Sequence, residues 1–158
     1  MYSIVKFAFL FVAVQSVVSI PANEDEKTLD LRFEYGNATY LISSMRLDWY
    51  HARNYCKVQG MDLVSIESVG ENSAVMNAVS DMLTESFWIS GSDLYQEGAF
   101  YWDSTGRAIG PFQNWAPNEP SGDRNEHCVE LNINVNHLWN DVNCDLEKLF
   151  ICEMNPCV

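Results

Sequence analysis

Five side chains near the C-terminal end of the chain carry the oxygen atoms that a hard cation binds. They are carboxylate, hydroxyl and amide groups close to a pair of cysteines. Ca²⁺ takes about six to eight oxygen ligands from carboxylates, amides, carbonyls and water. The five residues are Glu119, Ser121, Glu126, Asn140 and Asp141. Since they would supply most of a coordination shell, the sequence predicts a calcium site with room for a ligand.

The composition of the chain limits its class of partner. Its 158 residues suit one domain, and 22 acidic residues against 9 basic ones give a net charge of −13. Loss of residues 1–19 would remove one lysine, so 8 basic residues would face 22 acidic ones, a net charge of −14. Such a surface argues against binding nucleic acid or anionic membranes. It suits a protein that holds divalent cations, although solubility alone would also explain it.

The first 19 residues have the pattern of a secretory signal peptide. Lys6 precedes the apolar run 7–14, and Val17 and Ser19 are placed for cleavage. The uninterrupted run is shorter than the roughly 20 residues of a membrane-spanning helix, which argues against a membrane anchor. We therefore expect a secreted, extracellular protein with no membrane span.

The elements that must position the ligands begin after a short acidic lead-in, residues 20–30, which we expect to be flexible. Residues 33–43 have a strand-like pattern with a turn at Gly36 and Asn37. Asn37 also begins an Asn-Ala-Thr glycosylation sequon, which indicates that this turn is exposed. The segment therefore predicts strand structure interrupted by an exposed turn that carries an N-glycosylation site.

Two helices are predicted in the first half of the chain. Asp48 is placed to cap a helix that runs to Gln59, with Gly60 as its stop. Apolar residues at helical spacing predict a second helix over residues 69–83. These helices supply the scaffold on which the later segments would pack.

The second half of the chain has short aromatic runs separated by polar and loop-forming residues. Short aromatic runs at 87–89, 100–102 and 138–139 predict strands, and the residues from 104 to 136 read mostly as loop. A loop of that length inside a domain is usually functional. Helices followed by short strands predict an α+β fold.

Several motifs occur in a fixed order in this half and together resemble one family. They are Phe87-Trp88-Ile89-Ser90-Gly91, Asn114-Trp115, Glu119-Pro120-Ser121, Trp139-Asn140-Asp141, Cys144 and Phe150-Ile151-Cys152-Glu153. The set resembles a C-type lectin domain, in particular the short secreted lectins of insects and other invertebrates. The resemblance covers about residues 31–154 and leaves 155–158 as a tail. It implies two helices packed on small antiparallel sheets, a long calcium-binding loop region and two disulfides.

Five cysteines follow the predicted signal peptide, which in an oxidising compartment gives two bridges and one unpaired cysteine. The resemblance implies the pairs Cys56–Cys152 and Cys128–Cys144. Cys157 is then left over in the tail. It would be available for an interchain disulfide that links two chains into a dimer.

The resemblance also assigns roles to the five oxygen-bearing residues. In the family the corresponding segments bind Ca²⁺, and the ion binds two hydroxyls of a sugar. This implies that all five residues bind both calcium and carbohydrate, with a cis peptide bond before Pro120. Glu119 resembles members that prefer mannose, fucose or N-acetylglucosamine. Ser121 departs from the Asn of those members, so galactose stays open.

A second calcium position is also implied, with Asp93, Glu97 and Asp123 as its candidate ligands. His127 and Gly122 stand where the family often has acidic residues, so the second calcium position has too few oxygen ligands. The alternative is that Asp93 and Glu97 are solvated loop acids.

Together these features predict a secreted, calcium-dependent lectin and no enzyme. The expected partners are glycans on microbial, viral or host glycoproteins, in innate immunity. The alternative is a module of the same fold that recognises a protein independently of sugar. A glycosidase pair of carboxylates is disfavoured, because bound Ca²⁺ would keep a carboxyl group ionised and unfit as a general acid.

Overall fold

The structure is a computed structural model that describes residues 30–82, 84–132 and 137–154. The predicted signal peptide, the lead-in as far as residue 29 and the tail 155–158 lie outside the described residues. The helices are α1 (Trp49–Val58) and α2 (Val69–Ala78). The strands are β1 (Leu31–Tyr35), β2 (Ala38–Ile42), β3 (Asp62–Leu63), β4 (Ser86–Ser92), β5 (Tyr101–Trp102), β6 (Cys128–Asn132), β7 (Leu138–Val142) and β8 (Leu149–Met154).

The described strands form one mixed sheet in the order β1-β2-β8-β4-β6-β7. β3 pairs with β8, and β5 pairs with β4. The pairs are antiparallel as expected, except that β4 and β8 run parallel, with Phe87 opposite Leu149 and Trp88 opposite Phe150. This parallel pair joins the terminal strands to the strands of the second half, so the predicted small sheets are continuous.

Helix α1 confirms the prediction made from its capping residues. The Asp48 side chain accepts a hydrogen bond from the backbone N–H of His51 at 2.8 Å, which satisfies one of the free donors of the first turn. The helix ends just before Gly60, whose φ of 72° is a left-handed conformation that glycine adopts without strain. Trp49, Ala52 and Cys56 are buried against the sheet. The apolar face of the helix is therefore part of the core.

Helix α2 begins where it was predicted but ends about one turn earlier than residue 83. Ser68 caps its N-terminus through a hydrogen bond from the backbone N–H of Glu71 at 3.2 Å. At the other end, the hydroxyl of Ser80 donates to the carbonyl of Asn77 at 2.9 Å. Serine competes in this way with the helical backbone, which favours termination. Val75 and Val79 are nevertheless fully buried, as the periodicity predicted.

Both predicted disulfides are present. Cys56–Cys152 ties α1 to β8, and Cys128–Cys144 ties the first residue of β6 to the segment that follows β7. All four of these cysteines are buried. The second bridge therefore closes the end of the β6–β7 pair at which the candidate ligands lie.

Strand β6 corrects the prediction of a loop from 104 to 136. It pairs with both β4 and β7, and Val129 and Leu131 are fully buried on it. Glu130 stands between these apolar residues, in the range that the sequence analysis had predicted to be loop. In the structure it is 3% exposed and forms an ion pair with Lys148 at 2.7 Å. Because the partner of Glu130 lies 18 residues later in the sequence, the local sequence does not indicate that this acid is buried in a strand.

Candidate functional site

The segment that carries Glu119 and Ser121 is held against β7 by backbone hydrogen bonds. The N–H of Trp139 donates to the carbonyl of Asn114, and the N–H of Ala116 donates to the carbonyl of Trp139, both at 2.8 Å. These bonds align residues 114–116 with the middle of β7. As a result, the residues that follow lie beside Asp141.

The ring of Trp139 holds the same region together from the core side. It is fully buried and makes edge-to-face contacts with the rings of Trp102, Phe112 and Trp115 at centroid distances of 5.4, 5.7 and 5.8 Å. Such aromatic pairs contribute about 0.5–1.5 kcal/mol each beyond the burial of their area. The aromatic residues of the Trp-Asn-Asp and Asn-Trp motifs therefore act as the packed base of the site.

Ser121 connects the acidic residues from three segments. Its backbone N–H donates to both carboxylate oxygens of Asp141, at 2.9 and 3.1 Å. Its hydroxyl donates to Oε2 of Glu126 at 2.9 Å. The structure thus brings together the loop after β5, the approach to β6 and the end of β7.

Glu119 lies in the same cluster and is electrostatically crowded there. Burial raises the pKa of its carboxyl to about 7, with further contributions from the hydrogen bond with Asp141 and from the charges of Asp141 and Glu126. Its Oε2 atom is buried and has no hydrogen-bond partner among the residues that the structure describes. The peptide bond before Pro120 is cis, as expected. A buried carboxylate oxygen without a donor, next to two further carboxylates, is a feature that a bound divalent cation would satisfy.

Asn140 is the predicted site residue that the structure does not link to this cluster. Its amide nitrogen lies 3.4 Å from Oε1 of Glu130, the residue opposite it on β6. Glu130 also accepts a bond from Asn132 at 2.9 Å. Glu130 was not among the predicted site residues, because the sequence prediction placed it in a loop and its position opposite Asn140 arises from strand pairing. The bond to Asn140 is long enough to be weak.

The residues predicted for a second calcium lie in two places. Asp93 and Glu97 group with His127, whose Nδ1 lies 2.9 Å from Oδ1 of Asp93 and 3.8 Å from Oε2 of Glu97. The bond to Asp93 and the charges of both acids raise the pKa of the imidazole, against the opposing effect of burial. Asp123 lies outside this group, and its carboxylate accepts from the backbone N–H of Asn125 at 3.0 Å. The sequence prediction had treated His127 as a missing ligand.

Asn37 lies in the turn between β1 and β2 and is exposed, as the sequon indicated. Across the described ranges, no helix has the length and apolar character needed to cross a membrane. Cys157 lies outside the described residues.

Comparison with known proteins agrees with this architecture. The family model described as "Lectin C-type domain" matches residues 45–154, and the chain therefore belongs to the C-type lectin domain family. This is a carbohydrate-binding family and not a family of enzymes, so the chain is not an enzyme. The disulfides, the two helices and the mixed sheet are those of the family's fold.

The chain is similar to insect lectins over most of its length. It is 36% identical to C-type lectin mosGCTL-7 of Aedes aegypti over 123 residues, which are 72% of this chain and 81% of that protein. It is 30% identical to C-type lectin 37Db of Drosophila melanogaster over 155 residues, or 96% of this chain and 99% of that one. Among solved structures, it resembles the carbohydrate-recognition domain of mouse scavenger receptor C-type lectin. That comparison has a TM-score of 0.71 and 26% identity, and it covers 78% of this chain and 93% of the other.

Proposed function

We propose that the chain is a calcium-dependent carbohydrate-binding lectin. The observation that carries the proposal is the convergence of Glu119, Glu126 and Asp141 on Ser121, with a buried oxygen of Glu119 left without a donor. The negative charges of Asp141 and Glu126 act on Glu119, and a divalent cation would relieve that repulsion.

The proposed calcium ligands are the five residues singled out from the sequence. Four are already linked through Ser121 and Asp141, and Asn140 would offer its Oδ1 atom to the ion while its amide nitrogen keeps the weak bond to Glu130. The bound ion supplies the positive charge that attracts two neighbouring sugar hydroxyls. The protein's part is to hold the oxygen atoms in place and to accept hydrogen bonds from the same hydroxyls. The ligands are Glu119, Ser121, Glu126, Asn140 and Asp141.

The preferred sugar follows from Glu119 and Ser121. The carboxylate of Glu119 favours mannose, fucose or N-acetylglucosamine, by the family resemblance stated above. A serine hydroxyl is shorter than an asparagine amide and offers one oxygen where the amide offers both an acceptor and a donor. We therefore propose weak binding with a broad preference that extends to galactose.

The proposed setting is extracellular, with the chain secreted by means of residues 1–19 and glycosylated at Asn37. The insect relatives named above are lectins, which supports recognition of glycans on microbial, viral or host surfaces in innate immunity. Cys157 is proposed to link two chains, because two weak sites on one particle bind more tightly than one.

The second candidate function is recognition of a protein partner independently of sugar. It is favoured by one observation: Asn140 donates through its amide nitrogen to Glu130, and the hydrogen bonds of the described residues do not link it to the Ser121 cluster. If the Oδ1 atom of Asn140 does not reach the ion when calcium is present, the ion has one ligand fewer, and the affinity of the site for both calcium and sugar falls.

Retention on sugar resins tests the two functions. The full chain, expressed through a secretory pathway, is applied to mannose-agarose and to galactose-agarose in Ca²⁺, and bound protein is then eluted with EGTA. We expect retention that EGTA reverses, stronger on mannose-agarose. Folded protein that passes through both resins would contradict a mannose- or galactose-binding lectin and favour protein recognition.

The matched variants are Asp141→Asn and Asp145→Asn. Asp141 is buried in the cluster, whereas Asp145 is an exposed aspartate on the turn after Cys144. Both changes remove one negative charge, so a general charge effect would be the same in both. We expect Asp141→Asn to abolish retention and Asp145→Asn to leave it unchanged; equal behaviour would show that the cluster is not the binding site.

A further inference from the structure

A second group of metal-binding side chains lies outside the proposed calcium ligands. It consists of the carboxylates of Asp93 and Glu97 and the imidazole of His127, whose ligand atoms all lie within 4.8 Å of one another. The Nδ1 atom of His127 faces both acids, at 2.9 Å from Asp93 and 3.8 Å from Glu97. One nitrogen and two oxygen atoms therefore point into a common space.

The group is built by two segments that the backbone holds in register. The N–H of Asp93 donates to the carbonyl of His127 at 3.2 Å, and this fixes the end of β4 against the approach to β6. The N–H of Gly98 donates to Oδ2 of Asp93 at 2.7 Å, which leaves Oδ1 directed at the imidazole. Asp93 is 2% exposed, so its orientation is set by the fold.

Access from solvent is provided by the other two members. The side chain of His127 is 30% exposed and that of Glu97 is 47% exposed. An ion can therefore enter past these partly exposed groups and meet the buried carboxylate of Asp93. An entry path and a preorganised ligand are both required of a functional metal site.

We propose that Asp93, Glu97 and His127 form a zinc site. Calcium binds oxygen atoms only, whereas zinc accepts imidazole nitrogen together with carboxylate oxygen in tetrahedral geometry. Three protein ligands leave a fourth position for water or for a group on a partner, the pattern of open zinc sites. His127 stands where the family often has an acidic residue, so a nitrogen ligand replaces an oxygen ligand. This replacement changes the preference of the site from calcium to zinc.

The alternative is that the imidazole is itself the cation. A protonated His127 between two carboxylates would form a plain ion pair and leave no room for a metal. The zinc proposal rests on no property of the sugar site, so the two are tested separately. Saturating Ca²⁺ keeps the carboxylates of Glu119, Glu126 and Asp141 occupied while zinc is added.

The experiment is a zinc titration of the full chain by isothermal calorimetry at pH 8 in calcium-saturated buffer. The chain has three histidines, at positions 51, 127 and 137. Imidazole nitrogen signals are followed by NMR in the same titration. We expect one binding event per chain, accompanied by a shift of the Nδ1 signal of His127 alone. Zinc binding without that shift, or no binding, would overturn the proposal.

Three variants sharpen the result. His127→Gln is expected to weaken zinc by about 10- to 100-fold or more, since loss of even an outer partner of a metal ligand has effects of this size. His127→Asp is expected to lose zinc and to gain a second calcium-binding event. His51→Gln is the control, because His51 pairs with Asp48 at 2.6 Å but belongs to no group of three metal-binding side chains within the described part of the chain. If zinc affinity survives in both His127 variants, the site is elsewhere and the proposal fails.

Discussion

At the scale of single residues, Ser121 has two separable roles in the site. Its backbone N–H binds Asp141, and any residue except proline at this position would keep that bond. Its hydroxyl binds Glu126, and this bond depends on the side chain. The identity of residue 121 therefore changes the ligand set without disturbing the contact between the loop and β7.

Replacement of Ser121 by asparagine is expected to strengthen sugar binding. The amide would offer a carbonyl oxygen to the ion and an N–H to a sugar hydroxyl, whereas the serine hydroxyl has only one oxygen for both purposes. One added hydrogen bond is worth about 1 kcal/mol, or about a fivefold gain in affinity. The measurement is the concentration of free mannose that releases Ser121→Asn and wild-type protein from mannose-agarose in Ca²⁺.

The matched variant for this measurement is Ser121→Ala, which keeps the backbone bond to Asp141 but removes the hydroxyl. It is expected to bind sugar and calcium more weakly than wild type. If all three proteins were released at the same mannose concentration, the side chain of residue 121 would not be part of the site.

At the scale of elements, the sequence predicted those parts whose signals are local. The α1 cap at Asp48 and the β1–β2 turn at Gly36 are short-range features, and both are found in the structure. The missed strand, β6, carries a buried Glu130 whose partner Lys148 lies on the approach to β8. The contact of Asp93 with His127 joins residues 34 positions apart. Charged pairs that form only after folding cannot be read from local periodicity.

The position of the two disulfides predicts different consequences for their removal. Cys128–Cys144 closes a short loop of sequence separation 16 that contains Asn140 and Asp141, whereas Cys56–Cys152 spans a separation of 96 and joins α1 to β8. In the chain-entropy model the short loop is worth about 3 kcal/mol and the long one about 4.7 kcal/mol. Removal of the short one is therefore expected to cost less stability but more calcium affinity.

The measurement compares two double variants, Cys128→Ala with Cys144→Ala and Cys56→Ala with Cys152→Ala. Urea unfolding gives the loss of stability, and calorimetry gives the calcium affinity. Both are recorded at 15 °C, near the temperature at which domains are typically most stable, about 10–20 °C. If the variant without Cys56–Cys152 lost calcium affinity more severely, the short bridge would not be what holds the ligand segment in place.

At the scale of the whole molecule, the fold keeps a high negative charge and crowds part of it into one site. The chain has a net charge of −13, and Glu119, Glu126 and Asp141 are in mutual contact or close to it. Repulsion of this kind lowers the stability of the compact state. A ligand that binds only the folded protein compensates, because it stabilises the fold in proportion to the logarithm of its concentration over its dissociation constant. The stability of the domain is therefore expected to depend on calcium and on pH together.

Glu119 sets the sign of that dependence. Its pKa in the folded, calcium-free protein is about 7, raised first by burial and then by Asp141 and Glu126 from an ordinary value of 4.5. The folded state thus holds a proton that the unfolded state releases between these values. The stabilising contribution of this group is fully present below pH 4.5 and is lost as the pH rises through about 7. In EGTA, the melting temperature of wild type should fall from pH 5 to pH 8 relative to that of Glu119→Gln, which resembles the protonated form.

Calcium should reduce the difference between the two proteins at pH 8. The ionised Glu119 becomes a ligand in Ca²⁺, so the melting temperature of wild type should rise by more than that of Glu119→Gln. Extracellular calcium modules bind at about 10⁻⁴ to 10⁻³ M, so ten to a hundred times that concentration adds about 1.4–2.7 kcal/mol. Asp145→Asn removes an exposed carboxylate outside the cluster and should follow wild type throughout. If the melting temperatures of wild type and Glu119→Gln changed equally with pH in EGTA, Glu119 would not hold a proton in the folded protein. If Ca²⁺ raised both melting temperatures equally, Glu119 would not bind the ion.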